Sequence, residues 1–449
     1  MGKYFGTDGV RGVANTELTP EFVYKLGRAS AYVLTKQEKH SPTIIVGMDT
    51  RISGDMLEAS LISGMCSVGA KVICIGIIPT PAVAYLIRKY NADAGVVISA
   101  SHNPFKDNGI KFFNNKGFKL SDELENEIEN IIDNKFNEIP YYEAENIGYK
   151  EINENANIDY VEFLASSING DFEGINLIID CANGATYKTA PILFEKLKAN
   201  TTSIFKEPNG TNINANCGST HMETLCQKVK AGKFDLGIAF DGDGDRCLAV
   251  DENGEIVDGD CIMAICANYL KEQGKLKNDT IVATVMSNLG LFLMGKEKNI
   301  EILKANVGDR YVLEEMLKNG HNFGGEQSGH IIFLDYNTTG DGILTAIQLI
   351  NIIKNTGKKL SELKKIVNIL PQVLVNAKVD NKKKYDYLKN DDIKNAISQL
   401  EKKFEGEGRV LIRPSGTEPL IRVMIEGKDQ NILEKEAKLL AQFIEKVLG

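Results

Sequence analysis

Three stretches of this chain follow one plan: an apolar run of strand length, a polar loop, then a segment of helix length. The runs are residues 43–47, 177–180 and 281–285, and their loops carry Asp49-Thr50-Arg51, Asn183-Gly184-Ala185 and Ser287-Asn288. Each leads to a further apolar run (72–75, 203–205, 300–303) and ends in a strand with polar chemistry at its tip, at 99–103, 241–246 and 324–330. Apolar strands alternating with helical segments specify α/β layers. The repeated order predicts three α/β domains of similar topology. After residue 369 the pattern changes. Residues 382–404 read as a helix, two strands flank 413–419, and an amphipathic helix covers 431–448, which together predict a smaller α+β domain. The expected domains are 1–150, 151–252, 253–368 and 369–449. Residues 380–384 are a charge run expected to be a solvated helix start.

Composition narrows the class of partner. Hydrophobic residues are 43% and charged ones 25% of 449, as in globular proteins. A net charge of −9 argues against nucleic acid or an anionic membrane as main partner. No apolar run approaches membrane-spanning length, and the first residues have no signal-peptide pattern. A myristoylation pattern fails because Gly6 stands where Ser or Thr is needed. The eight cysteines have no C-x-x-C spacing, so reduced thiols in a cytoplasmic protein are expected.

The tip at 98–111, I-S-A-S-H-N-P-F-K-D-N-G-I-K, puts Ser99, Ser101 and His102 on a loop broken by Asn-Pro and Asn-Gly turns. The end of a strand is where an α/β sheet binds ligands. A serine beside His102 and Lys111 is a candidate nucleophile with proton carriers; a serine-rich turn capping the strand is the competing account.

The tip D-G-D-G-D-R spaces Asp241, Asp243 and Asp245 so that three oxygens can converge on one hard cation. An EF-hand fits at some positions, including Glu252, but needs glycine where Arg246 stands, and the flanks read as strands. A merely acidic turn would leave like charges uncompensated. Catalytic Mg²⁺ is the expectation. Mg²⁺ with three aspartates carries about −1, and a phosphoserine adds about −2. Arg246, Lys111 and His102 supply the offsetting cations, an arrangement suited to phosphoryl transfer.

R-P-S-G-T-E-P reads as an anion cradle: Gly416 lets backbone N–H groups turn inward, Ser415 and Thr417 add hydroxyls, and Arg413 with Arg422 can clamp oxygens. Its competitor is a plain Pro/Gly hairpin turn. G-G-E-Q-S-G-H offers Glu326 and Ser328 to sugar hydroxyls, or is a polar turn, with His330 a core histidine. Gly308-Asp309-Arg310-Tyr311 is a further polar loop at a helix start. Cys217, His221 and Cys226 lack a fourth ligand for zinc.

Together, G-T-D-G-V-R-G, I-S-A-S-H-N-P, D-G-D-G-D-R, G-E-Q-S-G-H and R-P-S-G-T-E-P resemble the α-D-phosphohexomutase superfamily in order and spacing, over essentially the whole chain. Within it the chain is most similar to bacterial phosphoglucosamine mutases, through K-Y-F-G-T-D-G-V-R-G, the glutamine of G-E-Q-S-G-H, and V-G-D-R-Y-V. The resemblance implies four domains around a central cleft. It implies a phosphorylated Ser101, and one Mg²⁺ held by Ser101, Asp241, Asp243 and Asp245. The implied reaction interconverts glucosamine 6-phosphate and glucosamine 1-phosphate through a bisphosphate that reorients between two transfers. Glu326 and Ser328 would hold sugar hydroxyls, the cradle would grip the non-reacting phosphate, and Lys111, Arg11 and His330 would assist proton transfer. The alternatives are a phosphomannomutase/phosphoglucomutase, a hydrolase, which would not need the cradle, and a calcium-binding module, which does not explain it.

Overall fold

In a computed structural model, the described residues are 2–6, 8–35, 41–381, 383–405, 407–415 and 419–449. The first sheet holds β1 (Phe5–Gly6), β2 (Gly9–Val13), β3 (Thr43–Met48), β4 (Lys71–Ile77), β5 (Ala94–Ile98), β6 (Asp107–Asn114) and β7 (Lys150–Ile152), in the order β1-β2-β6-β5-β3-β4-β7. The second holds β8 (Asn176–Asp180), β9 (Asn200–Ile204), β10 (Leu236–Phe240), β11 (Cys247–Asp251) and β12 (Ile256–Val257), in the order β12-β11-β10-β8-β9. The third holds β13 (Thr280–Thr284), β14 (Glu301–Ala305), β15 (Phe323–Gly325) and β16 (Ile331–Phe333), in the order β14-β13-β15-β16.

The repeat expected from sequence is present. In each sheet the first apolar strand (β3, β8, β13) lies between two parallel neighbours, and the third of the set pairs antiparallel with a fourth. The three polar tips therefore occupy one topological position, the turn from the third strand to the fourth. Strands buried on both faces carry unbroken apolar runs, such as A-G-V-V-I in β5 and T-I-V-A-T in β13, where every residue is buried. Two short strands run past the expected limits: β7 joins the first sheet at residues 150–152 and β12 joins the second at 256–257.

β17 (Gln372–Lys378), β18 (Arg409–Pro414) and β19 (Leu420–Glu426) form an antiparallel sheet in the order β17-β19-β18. The closing helix Gln430–Leu448 starts at Asp429, whose carboxylate accepts from the N–H groups of Asn431 and Ile432. Its buried Leu433, Ala437, Leu440, Ala441, Ile444 and Leu448 fall at helical spacing and join the core of this domain. The helix expected over 382–404 is shorter, Asp391–Lys403; Asn390 caps it by accepting from Ile393 N–H. The charge run at 380–384 is exposed at Asp380 and Lys383, as expected, but forms a turn and not a helix start, and Lys382 lies outside the described residues. Lys384 is buried and its Nζ donates to the Ser415 carbonyl at 2.9 Å.

The chain divides into two compact units: residues up to Met286 with Ile300–Ile366, and Ser287–Asn299 with Val367–Gly449. The helix Leu289–Lys298 thus belongs with the C-terminal sheet. Its Leu289 N–H donates to Glu426 Oε2 at 3.2 Å, and Asn288 exchanges two hydrogen bonds with the Leu370 backbone.

Candidate active site

The chain leaves buried β5 through a loop in which Ser101 has φ 52, a left-handed conformation that costs a non-glycine residue roughly 1–2 kcal/mol. Neighbouring groups hold it there. Ser101 N–H donates to Ser99 Oγ at 3.0 Å, and the Ser101 carbonyl accepts from Arg51 Nη2 at 3.1 Å and Asn214 Nδ2 at 2.9 Å. Asp49 in turn pairs with Arg51 and accepts from Ser99 Oγ. The strained turn aims the Ser101 side chain at the second sheet's tip, where its Oγ donates to Asp241 Oδ2 at 2.6 Å. Glycine at 242 lets the two loops approach: a Cβ there would lie 2.5 Å from the Ser101 carbonyl oxygen.

D-G-D-G-D-R joins antiparallel strands β10 and β11, not helices, so the EF-hand alternative fails. Glu252 is also engaged elsewhere, accepting from the Ser361 backbone and hydroxyl. Asp241, Asp243 and Asp245 are buried, each offering an oxygen within 4.8 Å of the others'. Thr80, at the start of the helix Thr80–Lys89, donates its N–H to the Asp243 carbonyl at 2.9 Å and its hydroxyl to Asp243 Oδ2 at 2.7 Å. Gly342 N–H fixes the loop from the third domain by donating to the Gly244 carbonyl at 3.0 Å.

This carboxylate set fits a hard divalent cation. Oδ1 of Asp243 and Oδ1 of Asp245 are buried without a hydrogen-bond partner. Burial, then Asp245 and Asp243, push the Asp241 carboxyl well above the usual range. At Asp245 burial acts in the same sense, but Lys111, His330 and Arg246 outweigh it and hold that carboxyl below the usual range. Among the described residues, no other cluster of three His, Cys, Asp or Glu is placed to share a metal, Cys217, His221 and Cys226 included.

Lys111, Arg11 and Arg246 bring positive charge around the serine, whereas His102, expected from sequence to be a further cation, is held neutral. Lys111, on β6 and buried, lies 2.8 Å from Asp243 Oδ2, 2.9 Å from Asp8 Oδ2 and 3.7 Å from Asp245 Oδ2. Burial disfavours its charge, yet Asp243 and Asp8 raise its pKa and keep it protonated. Arg11, on β2, pairs with Asp8 at 2.5 Å. His102 Nδ1 is 3.4 Å from Ser101 Oγ; burial, then Arg246 and Arg11, push its pKa down to about 4. Arg246 Nε lies 4.0 Å from Asp245. His330 is buried with Nδ1 3.5 Å from Asp245 Oδ2, while Gly340 N–H donates to its Nε2 at 3.0 Å. That bond assigns the lone pair to Nε2 and the ring proton to Nδ1, facing Asp245.

The third tip joins this cluster through its backbone. Arg246 and His330 form an antiparallel bridge, and Cys247 N–H donates to the Gly329 carbonyl at 3.0 Å. Glu326 Oε1 accepts from Gly308 N–H at 2.9 Å, and Ser328 Oγ is buried without a partner. In the C-terminal unit, Arg413 and Arg422 are directly opposed on β18 and β19, and Ser415 is buried. Gly416 and Thr417 lie outside the described residues.

The sequence reading gave no role to Arg51 and Asn214, which hold the Ser101 carbonyl, to Thr80 on Asp243, or to Asp8 with Lys119, and took Asp309 only as part of a polar loop plausible for ligand contact. Arg51 and Asp8 stand in loops after or between strands, a usable signal. Asn214 and Lys119 have none, because tertiary contact alone gives them partners.

Comparison with known proteins matches this architecture. Four domain families of phosphoglucomutase/phosphomannomutase match in chain order: alpha/beta/alpha domain I at residues 2–138, domain II at 158–254, domain III at 258–369 and the C-terminal domain at 374–443. The chain is 64% identical over 445 residues to a phosphoglucosamine mutase of Ruminiclostridium cellulolyticum, covering 99% of both chains. It is 62% identical to that of Acetivibrio thermocellus over 100% of both. A phosphoglucomutase/phosphomannomutase family protein from Burkholderia thailandensis superposes with TM-score 0.81 at 23% identity, covering 99% of this chain and 98% of the other. An Aspergillus fumigatus N-acetylphosphoglucosamine mutase, solved with GlcNAc-6P and magnesium, superposes with TM-score 0.73 at 18% identity, covering 99% and 96%. With four matching domains and full-length identity of this order, the chain belongs to the phosphoglucosamine mutases of the phosphoglucomutase/phosphomannomutase family, which isomerise glucosamine 6-phosphate and glucosamine 1-phosphate.

Proposed function

We propose that Ser101 carries the transferred phosphoryl group, and that Asp241, Asp243 and Asp245, with the serine's phosphoryl oxygens, hold one Mg²⁺. The observation that carries this reading is Ser101 Oγ against Asp241 Oδ2 at 2.6 Å, beside two buried carboxylate oxygens that lack partners. Mg²⁺, when bound, neutralises charge on the phosphoryl oxygens. The chain's own residues do the positioning. In the first transfer the Oγ–P bond breaks and a sugar hydroxyl oxygen bonds to phosphorus, giving the bisphosphate; the hydroxyl proton passes to a base. The second transfer reverses this at the other phosphate, restoring phosphoserine. Lys111 and Arg246 remain charged and offset the oxygens of the moving group. His102, neutral and 3.4 Å from Oγ, is placed to exchange a proton near the reacting oxygen, with Arg11 and His330 bordering the same cluster.

Glu326 and Ser328 bind sugar hydroxyls in either orientation in this reading. Ser328 Oγ, buried and unpartnered, is a donor awaiting an acceptor. Arg413, Ser415, Gly416, Thr417 and Arg422 take the phosphate that is not reacting. The liganded Aspergillus fumigatus enzyme, solved with a sugar phosphate and magnesium, supports the ligand class. The cytoplasm, where sugar phosphates are made, is the proposed compartment; among the described residues no helix is long and apolar enough to cross a membrane. The test compares turnover of glucosamine 1-phosphate and glucose 1-phosphate in parent and Ser101→Ala. Parent turnover favouring the amino sugar, lost by orders of magnitude in the variant, is expected. A variant as active as the parent refutes the serine assignment, and preference for glucose or mannose phosphates restores the phosphomannomutase/phosphoglucomutase reading.

A further inference from the structure

Six side chains around the metal loop close a ring in which three carboxylates alternate with Lys111, Lys119 and His330. Asp245 Oδ2 is 3.7 Å from Lys111 Nζ, which is 2.9 Å from Asp8 Oδ2. Asp8 also pairs with Lys119, and Lys119 pairs at the same time with Asp309. Asp309 Oδ2 is 3.7 Å from His330 Nε2, and His330 Nδ1 returns to Asp245 Oδ2 at 3.5 Å. The members come from separate parts of the fold. Asp8 lies in the turn between β1 and β2, Lys111 on β6, and Lys119 just beyond it. Asp245 comes from the β10–β11 loop, Asp309 from the start of the helix Asp309–Asn319, and His330 from the residue before β16.

Lys119 is the link with the most at stake. Its side chain is 13% exposed and those of Asp8 and Asp309 are 17% and 16%. Charges this sheltered need their partners; deleting one leaves the others uncompensated. Without Lys119, Asp309 has no ion-pairing lysine or arginine among the described residues, and Asp8 leans on Lys111 and Arg11. Lys111 is shared between Asp8 on one side and Asp243 with Asp245 on the other, so its place depends on how much of Asp8's charge is satisfied elsewhere. Burial disfavours ionisation of Asp8, yet Lys111, Lys119 and Arg11 together hold its carboxyl well below the usual range, so it stays an anion.

We propose that Lys119 is a positioning residue for the mutase reaction: by gripping Asp8 and Asp309 together it fixes Lys111 against the metal-loop carboxylates and keeps His330 turned to Asp245. The inference rests on the reading above that Lys111 and His330 border the transferred phosphoryl group. Lys119 itself touches no reacting atom. Its effect is geometric, and misplacement of a catalytic group by about 1 Å is enough to cost two orders of magnitude.

The test is steady-state kinetics on glucosamine 1-phosphate, with thermal unfolding and Ser101 phosphorylation measured on the same preparations. Lys119→Met keeps the chain length and removes the charge. It should lower kcat on the order of 10- to 100-fold with KM within about threefold, while Ser101 still takes up phosphate. Lys119→Arg should recover most of kcat. Asp309→Asn should lower kcat too, and the double variant should be no slower than the slower single one, since both break one link. If Lys119→Met merely melts earlier, with kcat per folded molecule within about twofold of the parent, the residue is only a structural clamp and the proposal fails. Should Lys119→Met not fold, Asp309→Asn decides: parent-like kcat there overturns the proposal equally. A parent enzyme with no turnover on this substrate would instead refute the mutase reading on which the proposal stands.

Discussion

Arg413 and Arg422 stand directly opposite each other in the register of β18 and β19, two like charges where a sheet favours opposite ones. Burial, then Arg422, lower the Arg413 pKa, and Arg413 Nε is buried without a hydrogen-bond partner. A phosphate bound between them would offset this pair of like charges. Arg413→Ala should weaken binding of both sugar phosphates by about 1.5–3 kcal/mol, or roughly 10- to 100-fold, by isothermal titration. Ser101 should still be phosphorylated. Parent-like affinity for both isomers would place the distal phosphate elsewhere.

The carboxylate loop makes a prediction that needs no turnover. Mg²⁺ binding only the folded protein raises its melting temperature by mass action. Burial, then the neighbouring Asp245 and Asp243, push the Asp241 carboxyl upward, so Asp241→Asn removes a buried carboxyl that is unfavourable in the metal-free protein while removing a ligand. The variant without metal should melt no lower than the parent without metal, and added Mg²⁺ should no longer raise its melting point. An undiminished Mg²⁺-induced rise would exclude Asp241 as a ligand.

Gly242 is where the serine loop and the metal loop touch. An added Cβ would meet the Ser101 carbonyl at 2.5 Å and Asn214 Nδ2 at 2.7 Å, so Gly242→Ala must displace the strained serine turn. Overpacking of this kind costs about 1–3 kcal/mol of stability. The loss of kcat should exceed what unfolding explains, which circular dichroism beside kinetics can separate. Full activity in a folded variant would show that the turn tolerates the shift.

Glu125 gives a pH signature. Burial, and beyond that Asp122 and Glu129, push its pKa up to about 7 against the pull of Arg310, from an ordinary 4.5. A carboxyl with a raised folded pKa binds its proton more tightly when folded, so its share of stability is fully present below about 4.5 and lost as pH rises to about 7. Glu125→Gln removes this slope. Its melting temperature relative to the parent should climb between those limits and then level off; a difference independent of pH would contradict the assignment.

Much of this was legible in the sequence because the fold repeats itself. Apolar runs bounded by turn residues marked β3, β8 and β13, and the three polar tips proved to share one topological position. The serine, the aspartates and the arginine pair stood out as candidates because their chemistry is dense over a few positions. What the sequence did not reveal was supplied by distant chain. Lys119 and Asp309 are 190 positions apart, and nothing in either neighbourhood points to the other. Asn214 reads as a polar loop residue until its amide is seen on the Ser101 carbonyl. The helix at 382–404 was overextended because charged residues at its start resemble a solvated first turn, whereas Lys384 turns inward to the Ser415 carbonyl.

The central claim is that Ser101 Oγ is the atom that gives and takes the phosphoryl group. Peptide-mapping mass spectrometry before and after a single turnover tests it most directly. Protein loaded with isotopically labelled phosphate should carry the label on the peptide containing Ser101 and, on turning over unlabelled glucosamine 6-phosphate, pass it to the sugar while unlabelled phosphate from the substrate replaces it on Ser101. A phosphate that resides on another residue, or a label that stays on Ser101 while sugar is isomerised, would contradict the account.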